Sequence, residues 1–269
     1  VAAMLRDITL GQYYPVDSLV HRLDPRTKIL LTVLFIIAVF MAGQLYLYGF
    51  ILAFLCLAVY LARLPARMII RSIRPMRILL VFTFVLNLFF GSGETALIRL
   101  GPVVIWQEGL LNALHFTLRL IFLVMGSSVL TLTTSPVTLT DGLETLASPL
   151  KVIKFPAHEM AMMMTIALRF IPTLVEEADK IMKAQTARGA DFESGNLMAR
   201  ARAMVPLLVP LFVSAFRRAG DLAMAMEARC YHGGEGRTRL HVLKIGKRDL
   251  IAFLVMAALY LALLLPRWL

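Results

Sequence analysis

Apolar residues run almost without interruption from Ile29 to Ala62, and again across about 76–91, 110–131 and 249–266. A single helix through the first run would be roughly 50 Å long, against about 30 Å of hydrocarbon in a bilayer. The run must therefore break, and Gly43-Gln44 supplies the turn. Asp24-Pro25 marks the helix start, with an acceptor side chain at the N-cap and a proline where a missing N–H does no harm. The pattern predicts spans near 26–42, 45–62, 76–91, 110–131 and 249–266. That is an all-α polytopic membrane protein with about five transmembrane helices. Between the second and third spans, ARLPARMIIRSIRPMR carries Arg63, Arg67, Arg71, Arg74 and Arg77 with no acid, and reads as a cytoplasmic connector. The stretch GSGETALIRLGPVVIWQEG after the third span reads as a loop.

Between the fourth and fifth spans the period changes. Met160, Met163, Met164, Ala167, Ile171, Leu174, Ala178, Ile181 and Gln185 step by three and four, while Glu176, Glu177, Asp179, Lys180 and Lys183 fall between them. This predicts an amphipathic helix ending near Arg188, kinked at Pro172, with Gly189 as the residue that turns the chain out of the helix. Lys180, Lys183 and Arg188 suit the negative end of its dipole. A second stripe, Val205, Leu208, Phe212, Ala215, Ala219, Leu222 and Met226, ends at Arg229. Both helices carry too many charges to cross a bilayer, yet their stripes need a partner, and the simplest partner is each other. The organisation expected is a membrane domain over 1–133 with a cytoplasmic N-terminus, a cytoplasmic domain over 134–248 and a final span over 249–269.

Composition agrees with a membrane protein: 59% of the 269 residues are apolar and the mean hydropathy is +0.77. The net charge of +11 would otherwise suggest nucleic acid, but basic residues on a polytopic protein gather in cytoplasmic segments facing anionic headgroups. With the N-terminus cytoplasmic, the outer segments hold only Arg99 and Arg267, the fourth span holds Arg119, and 25 of the 28 Lys and Arg lie on the cytoplasmic side. The first residues contain no short apolar core with a small-residue cleavage site, so no signal peptide is expected. Cys56 and Cys230 suggest neither a disulfide framework nor a metal site. No G-x-x-x-x-G-K-[ST] phosphate loop occurs, and no two of His21, His115, His158, His232 and His241 share a spacing that would build a metal site. Arg119 should face protein or snorkel to the interface, bonded to neighbouring carbonyls or meeting a partner or a transported ion.

The chemistry that remains is a repeat. AQTARGAD at 184–191 and AMEARCYH at 225–232 each place an Ala-Arg pair at the end of a predicted helix. A guanidinium stays charged and offers five donors in a fixed fork suited to carboxylates, so two such tips on one scaffold can hold two similar partners. With the tips aligned, Glu176-Glu177 stand opposite Arg217-Arg218, and pairing there would set register more than stability.

Nearly the whole chain resembles the T component, the transmembrane coupling subunit, of energy-coupling factor (ECF) transporters, ATP-driven importers of vitamins and transition metals. The likeness lies in GQYYPVDSLVHRLDPRTK, LTTSPVTLTDGLE, HEMAMMMTIALRFIPTLVEEADKIMKAQTARGADFESGN and VPLFVSAFRRAGDLAMAMEARCY. The resemblance implies a non-catalytic subunit without cofactor. Two Ala-Arg-Gly motifs would end crossing coupling helices and enter grooves on two ABC-type ATPases. The residues carried over are Ala187, Arg188 and Gly189, then Ala228 and Arg229. Cys230 stands where the family usually has Gly, so the second helix should either run on to His232-Gly233 or strain locally. A separate membrane-embedded S component would capture the substrate. Met160, Met163, Met164, Met204 and Met226, with Met162, Met198 and Met224, offer adaptable apolar surface for it.

Other readings are a cobalt- or nickel-dedicated ECF subunit, the permease of an ordinary ABC importer, and a membrane glutamic protease suggested by Glu176-Glu177. The permease would carry a single coupling motif. The protease would need its acids inside spans and Arg at the place that Lys180 holds. The substrate itself is not encoded in this chain.

Overall fold

The computed structural model describes residues 13–90, 96–100, 103–153, 155–190, 192, 196–233 and 243–268. Helix α1 (Pro25–Met41) begins as the sequence requires, with Asp24 Oδ1 accepting the Arg26 N–H at 2.9 Å and proline at its first position. It stops at Ala42, whose backbone is extended, and α2 (Leu47–Ala62) starts five residues later. The 17 and 16 residues of these helices are close to the minimum for crossing the hydrocarbon. Helix α2 ends where Arg63 takes a left-handed backbone, φ 53°, and Pro65 follows to prevent continuation.

The arginine-rich connector is itself helical: α3 (Ala66–Ile73), a 3-10 turn (Arg74–Met76) and α4 (Arg77–Phe90) follow one another, and together Ala66–Phe90 is long and apolar enough to cross a membrane. Helix α4 has no buried residue, and Ile78, Val81, Phe82 and Phe90 are well exposed, as befits a perimeter helix facing lipid. The expected loop contains an antiparallel hairpin, β1 (Ala96–Leu100) and β2 (Val103–Trp106), with Leu100 opposite Val103 and Ile98 opposite Ile105. Sequence reading missed it because ALIRL and VVIW are too short for alternation to stand out. Helix α5 (Gln107–Thr133) and helix α9 (Lys247–Trp268) complete the long apolar helices. The class predicted from the pattern, an all-α polytopic membrane protein, holds with the hairpin as its one β element among the described residues.

The chain divides into two compact units, one formed by 13–142 with 243–268 and one by 143–233 among the described residues. The core of the first is Phe35, Val39, Tyr48, Ile51, Phe122 and Met256 with their neighbours, drawn from α1, α2, α5 and α9. Small residues let α1 and α5 approach closely: a Cβ added at Gly126 would lie 2.3 Å from the Phe35 ring. Polar groups at one end lock the helices together. Asp249 Oδ1 accepts the Asp24 N–H at 3.0 Å and its Oδ2 accepts the Gly246 N–H at 2.7 Å. Lys28 Nζ donates to the carbonyls of His21 and Thr133 at 3.0 and 2.9 Å. At the helix centre, Tyr260 donates to the Leu34 carbonyl at 2.8 Å. Each bond satisfies a group that lipid could not.

The second unit holds the C-terminal part of α6 (Pro136–Ala147), from Leu143 on, a 3-10 segment (Ser148–Ile153), and the long helices α7 (Ala157–Ala187) and α8 (Leu197–Glu227). Helix α7 continues through Pro172, and α8 contains Pro206 and Pro210. His158 on α7 bonds Glu144 on α6 at 3.0 Å. Its apolar core is thin, with Met182, Phe192 and Leu207 as the main cluster.

Candidate functional site

The two Ala-Arg pairs end their helices in the same way. At the first, the Gly189 N–H bonds the Thr186 carbonyl and the Ala190 N–H bonds the Gln185 carbonyl, both at 3.0 Å. At the second, the Cys230 N–H bonds the Glu227 carbonyl at 2.8 Å and the Tyr231 N–H bonds the Met226 carbonyl at 3.0 Å. Both are Schellman closures, in which a left-handed residue lets the chain reverse over the last free carbonyls. Gly189 at φ 89° and Cys230 at φ 54° are the left-handed residues. Arg188 and Arg229 therefore occupy one equivalent position, immediately before the reversal. Both are exposed, with Ala187 and Ala228 exposed beside them, and neither guanidinium has an ion-pair partner among the described residues. Cys230 adopts the conformation of a glycine in spite of its Cβ, so the second helix ends in register with the first and carries local strain instead of extending to Gly233.

The helices meet at another matched pair. Arg218 Nη2 donates to Glu177 Oε2 at 2.6 Å across 41 positions of chain, the same offset that separates Arg188 from Arg229. Each partner lies about three turns, roughly 16 Å of helix, before its own tip. The two arginines thus stand at equal distances along their helices from the paired residues. The hydrogen-bonded Arg218 guanidinium holds the Glu177 carboxyl below its ordinary range. Glu176 and Arg217 form no ion pair among the described residues.

The apolar stripes need a correction. Toward the tips they are covered: Ala178 is buried, and Leu174, Ile181, Leu222 and Met226 are partly buried. Farther from the tips the inward residues on α8 are Leu207 and Leu211, while Val205, Leu208 and Phe212 are 51%, 43% and 61% exposed. On α7, Ala157 and Ala161 are buried in place of Met160, Met163 and Met164, which are exposed, as is Met204 on α8. The reason lies in MVPLLVPLFVSAF at 204–216, which is apolar on nearly every face, so periodicity cannot choose a side. What results is an exposed stripe of Val205, Leu208, Val209, Phe212, Val213 and Phe216, at the spacing of one helix face. Phe216, Val209 and Val213 were not among the expected surface residues; a near-continuous apolar run in an otherwise charged helix was the available signal.

Arg119, midway along α5, settles its charge among rings. Its guanidinium lies 5.3 Å from the Phe40 ring centre and 5.5 Å from that of Phe116, and Nη2 donates to His115 Nε2 at 3.1 Å. Among the described residues no group of three or more His, Cys, Asp or Glu is placed to hold a metal ion.

Helices long and apolar enough to cross a membrane, joined in one chain to two helices that end in equivalent cationic tips, define a polytopic membrane protein. Residues 17–240 match the family described as CbiQ, cobalt transport protein. The chain is 54% identical over 265 residues to the energy-coupling factor transporter transmembrane protein EcfT of Acidaminococcus fermentans, covering 98% of each chain. It is 53% identical over 264 residues to that of Thermosediminibacter oceani, covering 98% and 99%, and 46% identical over 259 residues to that of Bacillus subtilis, covering 95% and 98%. The chain belongs to this family, the transmembrane components of ECF transporters.

Proposed function

We propose that this chain is the scaffold that couples ATP hydrolysis by two partner ATPases to movement of a membrane-embedded S component. The observation that carries this reading is the duplicated tip: two Schellman-closed helix ends with Arg188 and Arg229 at the same position and an ion pair at matched distances behind them. Two nearly identical anchors suit two nearly identical ATPases. Residues 134–248 would lie on the cytoplasmic side of the plasma membrane, where nucleotide is available and where the excess of Lys and Arg directs them. Closure of the ATPase pair would move the two helices about the point where they meet. Gly189 and Cys230, with the alanines beside the arginines, would let each tip enter a groove closely. The exposed stripe of α8 and the methionines of α7 would receive the S component, since a large exposed apolar face marks a docking surface.

The cargo would be a vitamin or other micronutrient carried by the S component. A cobalt- or nickel-dedicated assembly is the second reading, favoured by the description of the matched family. Mass spectrometry of copurifying partners distinguishes the two. Truncating one member of a desolvated charged pair typically costs about 2–5 kcal/mol of binding. Arg188→Ala with Arg229→Ala should therefore abolish ATPase copurification and ATP-dependent uptake in reconstituted complexes while the membrane unit stays folded. Either single Arg→Ala change should be tolerated, because the other tip still holds the complex, and Arg→Glu at either tip should be worse than Arg→Ala because it adds repulsion. Normal assembly and uptake by the double variant would show that the arginines are ordinary helix ends.

A further inference from the structure

A cleft of about 240 Å3 opens in the membrane-spanning unit among α1, α2, α5 and α9. All four helices supply it from the same end. Lys28 to Phe35 on α1, Phe54 to Leu61 on α2, Gly126 to Thr133 on α5 and Arg248 to Met256 on α9 each cover about two helical turns, which makes the cleft roughly 11 Å deep. Phe35, Phe54, Leu55, Gly126 and Met256 form its inner end, and Lys28, Thr133 and Arg248 its outer end. Leu19, Leu57 and Ile251 on the rim are 55%, 44% and 59% exposed, so the cleft is open at its side. An apolar interior of this kind excludes water, and a side opening among spanning helices faces hydrocarbon.

The polar end selects among lipids. Arg248 is exposed and has no ion pair among the described residues. Lys28 Nζ spends two of its three donors on the His21 and Thr133 carbonyls. The acids nearby, Asp24 and Asp249, are 6% and 3% exposed and do not line the cleft. Asp249 is occupied by the Asp24 and Gly246 N–H groups, and Asp17 by Arg22. The charge that an occupant meets at the mouth is therefore positive.

We propose that this cleft seats one acyl chain of an anionic phospholipid, with the phosphate beside Arg248 at the helix ends. The full-length protein, purified in mild detergent and titrated with phosphatidylglycerol or with phosphatidylcholine of the same acyl chains, tests this by native mass spectrometry. One phosphatidylglycerol should be retained per chain, about fivefold more tightly than phosphatidylcholine, the preference that one cation at a membrane surface confers. Arg248→Gln, a change at an exposed position, should erase the preference without expelling the chain. Ala252→Trp, which fills the cleft, should expel the lipid, with a thermal melt to verify folding. Equal binding of the two lipids by the unaltered protein, an unchanged preference in Arg248→Gln, or full occupancy in a folded Ala252→Trp would each overturn the proposal.

Discussion

Cys230 and Gly189 are a natural comparison, because the same left-handed closure is made once with a Cβ and once without. A Cβ in that region costs about 1–2 kcal/mol, and nothing lies within 4 Å of a Cβ built at Gly189, so strain is the whole effect. Cys230→Gly should stabilise the second tip by about 1 kcal/mol, and Gly189→Cys should destabilise the first by a similar amount. Hydrogen exchange of the Tyr231 and Ala190 amides, which close the two motifs, reads each change directly. The ion pair behind the tips has a defined pH response. Hydrogen bonding from Arg218 lowers the Glu177 pKa, so the pair is fully formed above the ordinary glutamate range, near 4.3, and is lost as pH falls through the lower folded value. Spin labels on the two tips should keep one distance from neutral pH down to about 5 and spread only in stronger acid. Glu177→Arg should spread them at neutral pH, and adding Arg218→Glu should restore the distance.

Among elements, the tightest dependence is between α1 and α5. A methyl group at Gly126 would meet the Phe35 ring at 2.3 Å, and Phe35 is 4% exposed. Overpacking of this kind costs about 1–3 kcal/mol, so Gly126→Val should lower the melting temperature of the membrane unit and turn Phe35 toward the neighbouring cleft. The start of α9 depends on Asp249 in a similar way. Its carboxylate takes two backbone N–H groups, one from the segment before α1. Charge-assisted bonds contribute about 1.5–3 kcal/mol each. Asp249→Ala should therefore cost about 3 kcal/mol or more, seen as a melt at lower temperature with separate loosening of α9. The breaks between spans were legible because Asp24-Pro25 and Gly43-Gln44 act locally. The hairpin and the helical form of 66–73 were not, because the first is too short for a periodic signal and the arginines of the second mimic a connector.

At the scale of the molecule, the cationic tips and the apolar face are different surfaces, and their failures should be separable. Phe212→Glu or Phe216→Glu, each at an exposed position of α8, should remove copurification of an S component while leaving ATPase binding intact. The tip variants should do the reverse. Loss of both partners from a Phe216→Glu protein that remains folded would mean that one continuous surface serves them together.

From sequence alone, the apolar spans, the charge asymmetry, the two helix ends at Ala-Arg and the pairing of Glu177 with the region of Arg218 could all be written down, since each rests on local spacing or on solvation of single residues. Tertiary structure was needed for three things. It decided which face of α8 turns inward, because 204–216 is apolar all round and packing against Met182 and Phe192 selects Leu207. It decided that Cys230 would accept a left-handed backbone, because the closing hydrogen bonds to Met226 and Glu227 outweigh the strain of its Cβ. And it created the cleft among four helices, because a void depends on how side chains from distant segments fail to meet, which no single segment encodes.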